Sequence, residues 1–146
     1  IYSSYHITRR SIAGIMDEAD THLLTDMVGL INRNRRNNWV DMHNLRVIKY
    51  GSILHIDAHL TVPWYFTVKQ AHTEVDVFSD LIRENYGASL ELFIHSDGCI
   101  EGPQCPICIN EDCPVRKQAF TKKIEWTLEN VLKNKRHNTQ TTSLIL

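Results

Sequence analysis

Apolar residues along this chain form two helical stripes with a different pattern between them. They recur three or four positions apart over 20–36 and again over 67–86, and Gly87 ends the second stripe. Acidic residues precede the first stripe and arginines close it, which suits the two ends of a helix dipole. Two amphipathic helices are therefore predicted, with core-facing positions Leu23, Met27, Leu30, Ile31, Ala71, Val75, Phe78 and Ile82.

The stretch between the two predicted helices alternates as a half-buried hairpin does. Runs 43–50 and 52–62 flank Gly51, and in the second run apolar residues occupy every other position while histidine, aspartate and threonine occupy the rest. Pro63 ends the second strand, because proline has no N–H to donate to a neighbouring strand. A third, shorter strand is predicted over 90–96.

This order of elements predicts an α+β fold, a ferredoxin-like helix–strand–strand–helix–strand arrangement with a three-stranded mixed sheet. Both helices cover one face of the sheet, and the other face stays open. An N-terminal helical segment precedes this unit, and Pro114 is predicted to begin an extra C-terminal helix that ends near 136. The apolar side of that helix would consist of Phe120, Ile124, Leu128 and Val131.

Composition narrows the class of protein. The 146 residues make one domain, and a formal net charge of -1 gives no reason to expect a nucleic-acid partner. No apolar run reaches the roughly 18 residues that a membrane-spanning helix needs. The chain begins with Ile1, and we expect it to be a soluble fragment of a longer protein.

Histidines collect at one edge of the predicted sheet. A hairpin with its turn at the glycine between the two strands sets His43 opposite His59, about 5 Å apart. The third strand should run parallel to the second because a helix connects them, so His95 and Asp97 reach the same edge. His72, early in the second helix, starts from that edge as well.

The register of the hairpin stays open at this point. A turn shifted by one residue would put His43 on the opposite face of the sheet, and Leu45 and Val47 fit the polar face poorly. Histidine is also common on half-exposed strands that bind nothing, so the prediction depends on the whole group and not on one member. Glu74 and Asp76 are interpreted as the solvated side of the second helix.

Four imidazoles and one carboxylate are a ligand set suited to zinc. Zinc binds neutral imidazole nitrogen and carboxylate oxygen at about 2 Å, usually with four ligands. Five ligands fit two ions bridged by the carboxylate, or one ion with a supporting residue outside its coordination shell. Other divalent transition metals accept the same ligands, and the predicted set is His43, His59, His72, His95 and Asp97.

Four short motifs resemble one protein family: His-Asn-Leu-Arg at 43–46, Ala-His-Leu at 58–60, Gln-Ala-His at 70–72 and Ile-His-Ser-Asp-Gly-Cys at 94–99. Over about 11–99 the chain resembles the C-terminal cytoplasmic domain of the cation diffusion facilitator family. The resemblance implies a proton-coupled exporter of zinc or a similar ion, whose cytoplasmic tails are not enzymes. It maps the paired-zinc ligands of that family onto the five residues above, where bound metal regulates transport.

The same resemblance implies partners and a location. The partners are a second copy of the chain, the membrane-embedded transport domain of the same protein and divalent metal ions, and the location is the cytoplasmic face of a membrane. Five segments are expected in this reading. They are a membrane-proximal linker over 1–19, the metal-binding domain over 20–98, a cysteine-rich loop over 99–113, the helix over 114–136 and a loosely ordered tail over 137–146.

The cysteine-rich loop departs from the family pattern. Cys105 and Cys108 form a Cys-x-x-Cys pair, and Cys99 and Cys113 flank it. Four thiolates around one ion make a closed structural zinc site, which would fold a loop that lacks a core of its own. Free thiols or a redox pair are the alternative, and Cys99 fits either the cysteine site or the histidine site.

Three functions from different classes fit these observations. The first is a metal-sensing, dimerising regulatory domain of a divalent cation efflux transporter. The second is a free-standing metallochaperone or metal-storage domain. A binuclear metal hydrolase is the third and fits least, because the sequence shows no general base or substrate pocket beside the metal ligands.

Overall fold

The computed structural model describes residues 18–87 and 89–141, so nearly all of the predicted membrane-proximal linker falls outside the described residues. The elements in chain order are α1 (Glu18–Arg33), β1 (Asp41–Tyr50), β2 (Ile53–Val62), α2 (Val68–Tyr86), β3 (Leu90–Gly98), a 3-10 turn (Cys105–Ile107) and the single-turn helix α3 (Leu128–Val131). The sheet has the order β1-β2-β3, with β1 antiparallel and β3 parallel to β2. The predicted α+β, ferredoxin-like arrangement is confirmed.

Local sequence explains why α2 crosses from β2 to β3 where it does. Thr67 caps the helix: its hydroxyl accepts a hydrogen bond from the Gln70 amide, and the Gln70 side chain accepts one from the Thr67 amide. Gly87 ends the helix at a φ of 76° and a ψ of -170°, a combination of angles that strains any residue with a Cβ. These two ends fix the length of the crossover, so β3 begins in register beside β2.

The core lies between the helices and one face of the sheet. Leu54, Ile56 and Leu60 of β2 are buried beneath Phe78 and Ile82 of α2. The buried stripe of α1 is rotated by one position from the predicted one, because Leu24 and Val28 are buried while Leu23 and Leu30 are only partly so. Its fully buried members are Leu24, Met27, Val28 and Ile31.

A β-bulge in β1 settles the register of the hairpin. His43 pairs with His59, as predicted, but Arg46 pairs with Asp57, so one extra residue lies between these two pairs. Asn44 takes the irregular position at a φ of 53°, and its backbone N–H donates to the carbonyl of Lys133 at 2.9 Å. The extra residue changes the parity of the strand, which returns Leu45 to the core.

The long C-terminal helix predicted from Pro114 to 136 is wrong over most of its length. Residues 114–127 have no helical structure, and only Leu128–Val131 form a helical turn. Ile124 and Trp126 are buried two positions apart, as in extended chain, while Phe120 is half exposed. The backbone of this stretch bonds to α1 and the following loop, with Arg35 donating to the carbonyl of Ile124 at 2.8 Å, so tertiary contacts override the helical pattern.

Two smaller expectations also need correction. Glu74 does not lie on the solvated side of α2: it is 5% exposed and accepts hydrogen bonds from Trp39 Nε1 and Asn38 Nδ2. The tail is not loose at its start, because His137 is buried against Asp41. No helix in the described part of the chain has both the length and the apolar character needed to cross a membrane.

Candidate metal centre

The open face of the sheet carries its histidines and carboxylates where the strands end. His59 of β2 pairs with His95 of β3, and the next pair on the same face of the sheet is Thr61 with Asp97. Across the hairpin the imidazoles of His43 and His59 have ring centroids 5.2 Å apart. The parallel crossover and the bulge in β1 together bring these side chains to one edge of the sheet.

His43, His59 and Asp97 form a compact cluster. One donor atom from each lies within 4.8 Å of the other two, and no other group of three metal-ligand side chains this close occurs in residues 18–87 and 89–141. Asp97 Oδ2 is 2.8 Å from His59 Nδ1 and 3.8 Å from His43 Nε2. Ligands about 2 Å from a tetrahedral zinc ion are about 3.3 Å from one another, so small adjustments would fit this set to zinc.

The structure places the other two predicted ligands differently. His95 stacks on His59, with ring centroids 5.2 Å apart and planes at 26°, and it is exposed beside the cluster. His72 is not brought into the cluster. Its side chain is 72% exposed on α2, and Nδ1 lies 3.0 Å from Asp76 Oδ2 one helical turn away.

Asp41 and His137 lie behind the cluster, and neither residue was predicted to belong to it. Asp41 is fully buried, and one of its oxygens lies 3.4 Å from His43 Nδ1. His137 donates its backbone N–H to Asp41 at 3.0 Å, and its ring Nδ1 contacts the other carboxylate oxygen. The only sequence signal was the two-residue spacing of Asp41 and His43, which puts both side chains on one face of a strand.

Basic side chains lie beside the carboxylates of both Asp41 and Asp97. Burial alone raises the pKa of Asp41, but hydrogen bonding to His137 and the proximity of His43 outweigh it and hold that pKa well below its usual range. Arg136 places Nη2 3.6 Å from Asp97 Oδ2 and donates from Nη1 to the carbonyl of Gly98 at 2.7 Å. A positive charge therefore already stands beside the carboxylate that faces both histidines.

The cysteine-rich loop is ordered by one arginine. Arg116 donates to the carbonyls of Cys105, Cys108 and Asn110 at 2.8, 3.0 and 2.7 Å. The Cys108 amide donates to the Cys105 carbonyl at 3.2 Å, which closes the Cys-x-x-Cys segment into a tight turn. Cys113 follows after four residues, and all four cysteines are free thiols.

The four thiols occupy one neighbourhood without forming a contact as close as that of the histidine cluster. Burial raises the pKa of Cys99, and the charges of the other three cysteines raise it further. The pKa of Cys105 is lowered. Burial acts to raise it, but hydrogen bonds from backbone N–H groups, of which that of Lys117 has the largest effect, outweigh burial. Burial, with Cys113, also raises the pKa of Tyr65 to about 12.

Comparisons with known proteins identify the family of this chain. A family model described as the cytoplasmic domain of cation efflux proteins matches residues 19–99, which is more than half of the chain. No match is found among curated proteins.

Solved structures with a similar fold include a metal-bound C-terminal domain of the CzcD transporter from Thermotoga maritima. It is 18% identical, at a TM-score of 0.49, over 57% of this chain and 94% of its own. A structure of the transporter CzrB is 18% identical at the same TM-score of 0.49, covering 54% of this chain and 95% of its own. A zinc form of CzrB has a TM-score of 0.45, with 18% identity over 57% of this chain and 89% of its own.

Proposed function

The chain belongs to the cation efflux family, as a cytoplasmic domain of that family. We propose that it senses divalent metal ions, with zinc as the first candidate, and that it dimerises to regulate an efflux transporter. The observation that carries the proposal is the cluster of His43, His59 and Asp97, whose donor atoms lie within 4.8 Å of one another. Two imidazoles and a carboxylate are a donor set that zinc prefers. The proposed role is binding and regulation, at the cytoplasmic face of the membrane that would hold the transport domain.

The proposed ligand set extends beyond this cluster. His95, stacked on His59, is proposed as a ligand of a second ion that Asp97 bridges to the first. His72 is proposed as the remaining ligand, and its exposed imidazole would have to leave Asp76 to reach the metal. One ion, with His95 supporting it from outside the coordination shell, is the simpler form of the same proposal.

Zinc titration by calorimetry tests the assignment of the ligands. Replacement of His43, His59 or Asp97 by alanine should lower zinc affinity more than about 100-fold, because loss of a direct ligand costs more than loss of a supporting residue. His22→Ala is the matched control, since His22 is an exposed histidine on α1 that pairs with Asp26. Equal losses in all four variants, or no zinc binding by the wild-type chain, would contradict the proposal.

We further propose that Cys99, Cys105, Cys108 and Cys113 bind a second, structural zinc. The support is their common neighbourhood and the tight turn that Arg116 holds at the Cys-x-x-Cys pair. The bound ion would draw the sulfurs inward and stabilise a loop with little regular structure.

Cobalt substitution tests the cysteine site independently of the histidines. In the His43→Ala variant, Co²⁺ should still give the intense sulfur-to-metal absorption of thiolate ligation, and Cys108→Ser should abolish it. A mass lower by two hydrogens without bound metal would instead identify a disulfide and refute the structural zinc. Absence of the absorption in the reduced chain would refute it as well.

A further inference from the structure

The proposed metal site is held from outside by the C-terminal segment. The carbonyl of Lys133 accepts a hydrogen bond from the backbone N–H of Asn44 in the bulge at 2.9 Å, and four residues later His137 contacts Asp41. The family match ends at residue 99, so this support comes from a part of the chain beyond the family domain. His137 is 4% exposed and Asp41 is fully buried, so neither contact is a passing one at the surface.

Asp41 lies between His137 and His43. Its Oδ1 contacts His137 Nδ1, while its Oδ2 accepts the His137 backbone N–H and lies 3.4 Å from His43 Nδ1. Within residues 18–87 and 89–141, the buried Nδ1 of His43 has no hydrogen bond, and Asp41 Oδ2 is a carboxylate oxygen positioned to accept one from it. The other ring nitrogen, Nε2, faces Asp97 at 3.8 Å.

This geometry selects one tautomer of His43. A carboxylate can only accept, so Asp41 favours the form of His43 that carries its proton on Nδ1. The lone pair is then on Nε2, on the side of Asp97 and His59. Histidines that bind metal usually donate their second N–H to a carboxylate or carbonyl, which fixes the tautomer and the direction of the ring.

We propose that His137 is a positioning residue of the metal site, which holds Asp41 against His43 so that His43 presents Nε2 to the metal. The inference rests on the function proposed above and adds a requirement to it. The metal site then depends on a segment outside the family domain, and undocking of residues 133–137 would weaken metal binding without changing any ligand.

Zinc titration of four further variants tests this role. His137→Ala and Asp41→Asn should each lower zinc affinity about 10-fold to 100-fold, the usual cost of losing a supporting carboxylate contact. His137→Asn should restore much of the affinity, because its amide nitrogen can take the place of Nδ1. His55→Ala is the control, since His55 lies on the same face of the sheet but pairs with Glu91 away from the cluster.

Two measurements separate positioning from a general loss of structure. In a His43→Ala background, His137→Ala should cause no further loss of zinc affinity, because the two act through one interaction. Long-range ¹H–¹⁵N spectra of the metal-free chain should show His43 protonated on Nδ1, and a mixture of tautomers in His137→Ala.

The outcomes distinguish failure of the inference from failure of the site. Unchanged zinc binding in His43→Ala would overturn the ligand assignment itself. A loss in His43→Ala together with wild-type binding in His137→Ala would overturn only the positioning role. Equal losses from His137→Ala with and without His43, or a proton found on Nε2 of His43 in the wild-type chain, would overturn it too.

Discussion

Charged side chains that are at least partly buried hold irregular parts of this chain against its core. Arg35 donates to the carbonyls of Trp39, Val40 and Ile124, and its guanidinium lies 3.9 Å from the centroid of the Trp126 ring. Burial lowers the pKa of Arg35 to about 10, against the opposing charge of Asp41. The cation remains charged at neutral pH, so it can order a segment that has no helix or strand of its own.

Glu74 orders the turn before β1 through hydrogen bonds to its residues. Its carboxylate accepts from Trp39 Nε1 at 2.9 Å and from Asn38 Nδ2 at 3.0 Å, and Arg36 Nε lies 3.5 Å away. Glu74→Ala should lower the free energy of unfolding by about 2–4 kcal/mol, because it leaves buried donors without an acceptor. Urea denaturation of the metal-free chain would measure this.

Asp76→Ala is the matched control for that prediction. Asp76 lies on the same helix, but its side chain is 60% exposed and pairs with His72 at the surface. Its replacement should change the free energy of unfolding by less than about 0.5 kcal/mol. Equal destabilisation by both variants would mean that the Glu74 contacts contribute little to stability.

Among the elements, the bulge of β1 decides which side of the sheet each residue faces. Asn44 adopts a positive φ that asparagine tolerates and β-branched residues do not. Without the extra residue, either His43 would leave the metal site or Leu45 would leave the core. The position of the proposed site therefore depends on one residue that is not itself a ligand.

Substitution at Asn44 tests this dependence. Asn44→Val should lower the free energy of unfolding by about 1–2 kcal/mol, because a β-branched residue is strained at positive φ. It should also weaken zinc binding, since the strain acts one residue from His43. Asn44→Gly should preserve both, and an Asn44→Val variant as stable as wild type would contradict the role given to the bulge.

The helices, strands and parallel crossover were predictable because each leaves a local mark: apolar spacing, Pro63, and the capping residues Thr67 and Gly87. No pattern in the sequence indicated the bulge, so the face of the sheet on which each β1 residue lies could not be predicted. Residues 114–136 have the apolar spacing of a helix, but Arg35 and Asn32 form hydrogen bonds with the backbone of this segment, and the helix predicted from the spacing was wrong. The Asp41–His137 contact joins positions 96 residues apart, and no local pattern encodes it.

At the scale of the whole molecule, the part that the structure describes has exposed apolar side chains on one face of its sheet. Ile48, Tyr50 and Phe93 are 48%, 64% and 55% exposed near the hairpin end. Exposed apolar patches on a soluble domain commonly mark contacts with a partner, and a second copy could cover this face symmetrically. The small net charge opposes self-association little.

Solution mass with and without zinc tests the proposed dimer. The wild-type chain should have the mass of a dimer with zinc bound, and Phe93→Glu should shift it to a monomer. Val68→Glu, at an 87% exposed position at the start of α2, should have no effect. A wild-type chain that is monomeric at all concentrations and metal loads would contradict dimerisation while leaving the metal site intact.

X-ray diffraction at the zinc absorption edge, on crystals grown with zinc, tests the central claim most directly. The proposal predicts an anomalous peak about 2 Å from donor atoms of His43, His59 and Asp97. A second peak near His95 would indicate the two-ion form, and one among the four cysteines would be the structural zinc. Zinc peaks found only at surface positions such as His22, with none among His43, His59 and Asp97, would contradict the account.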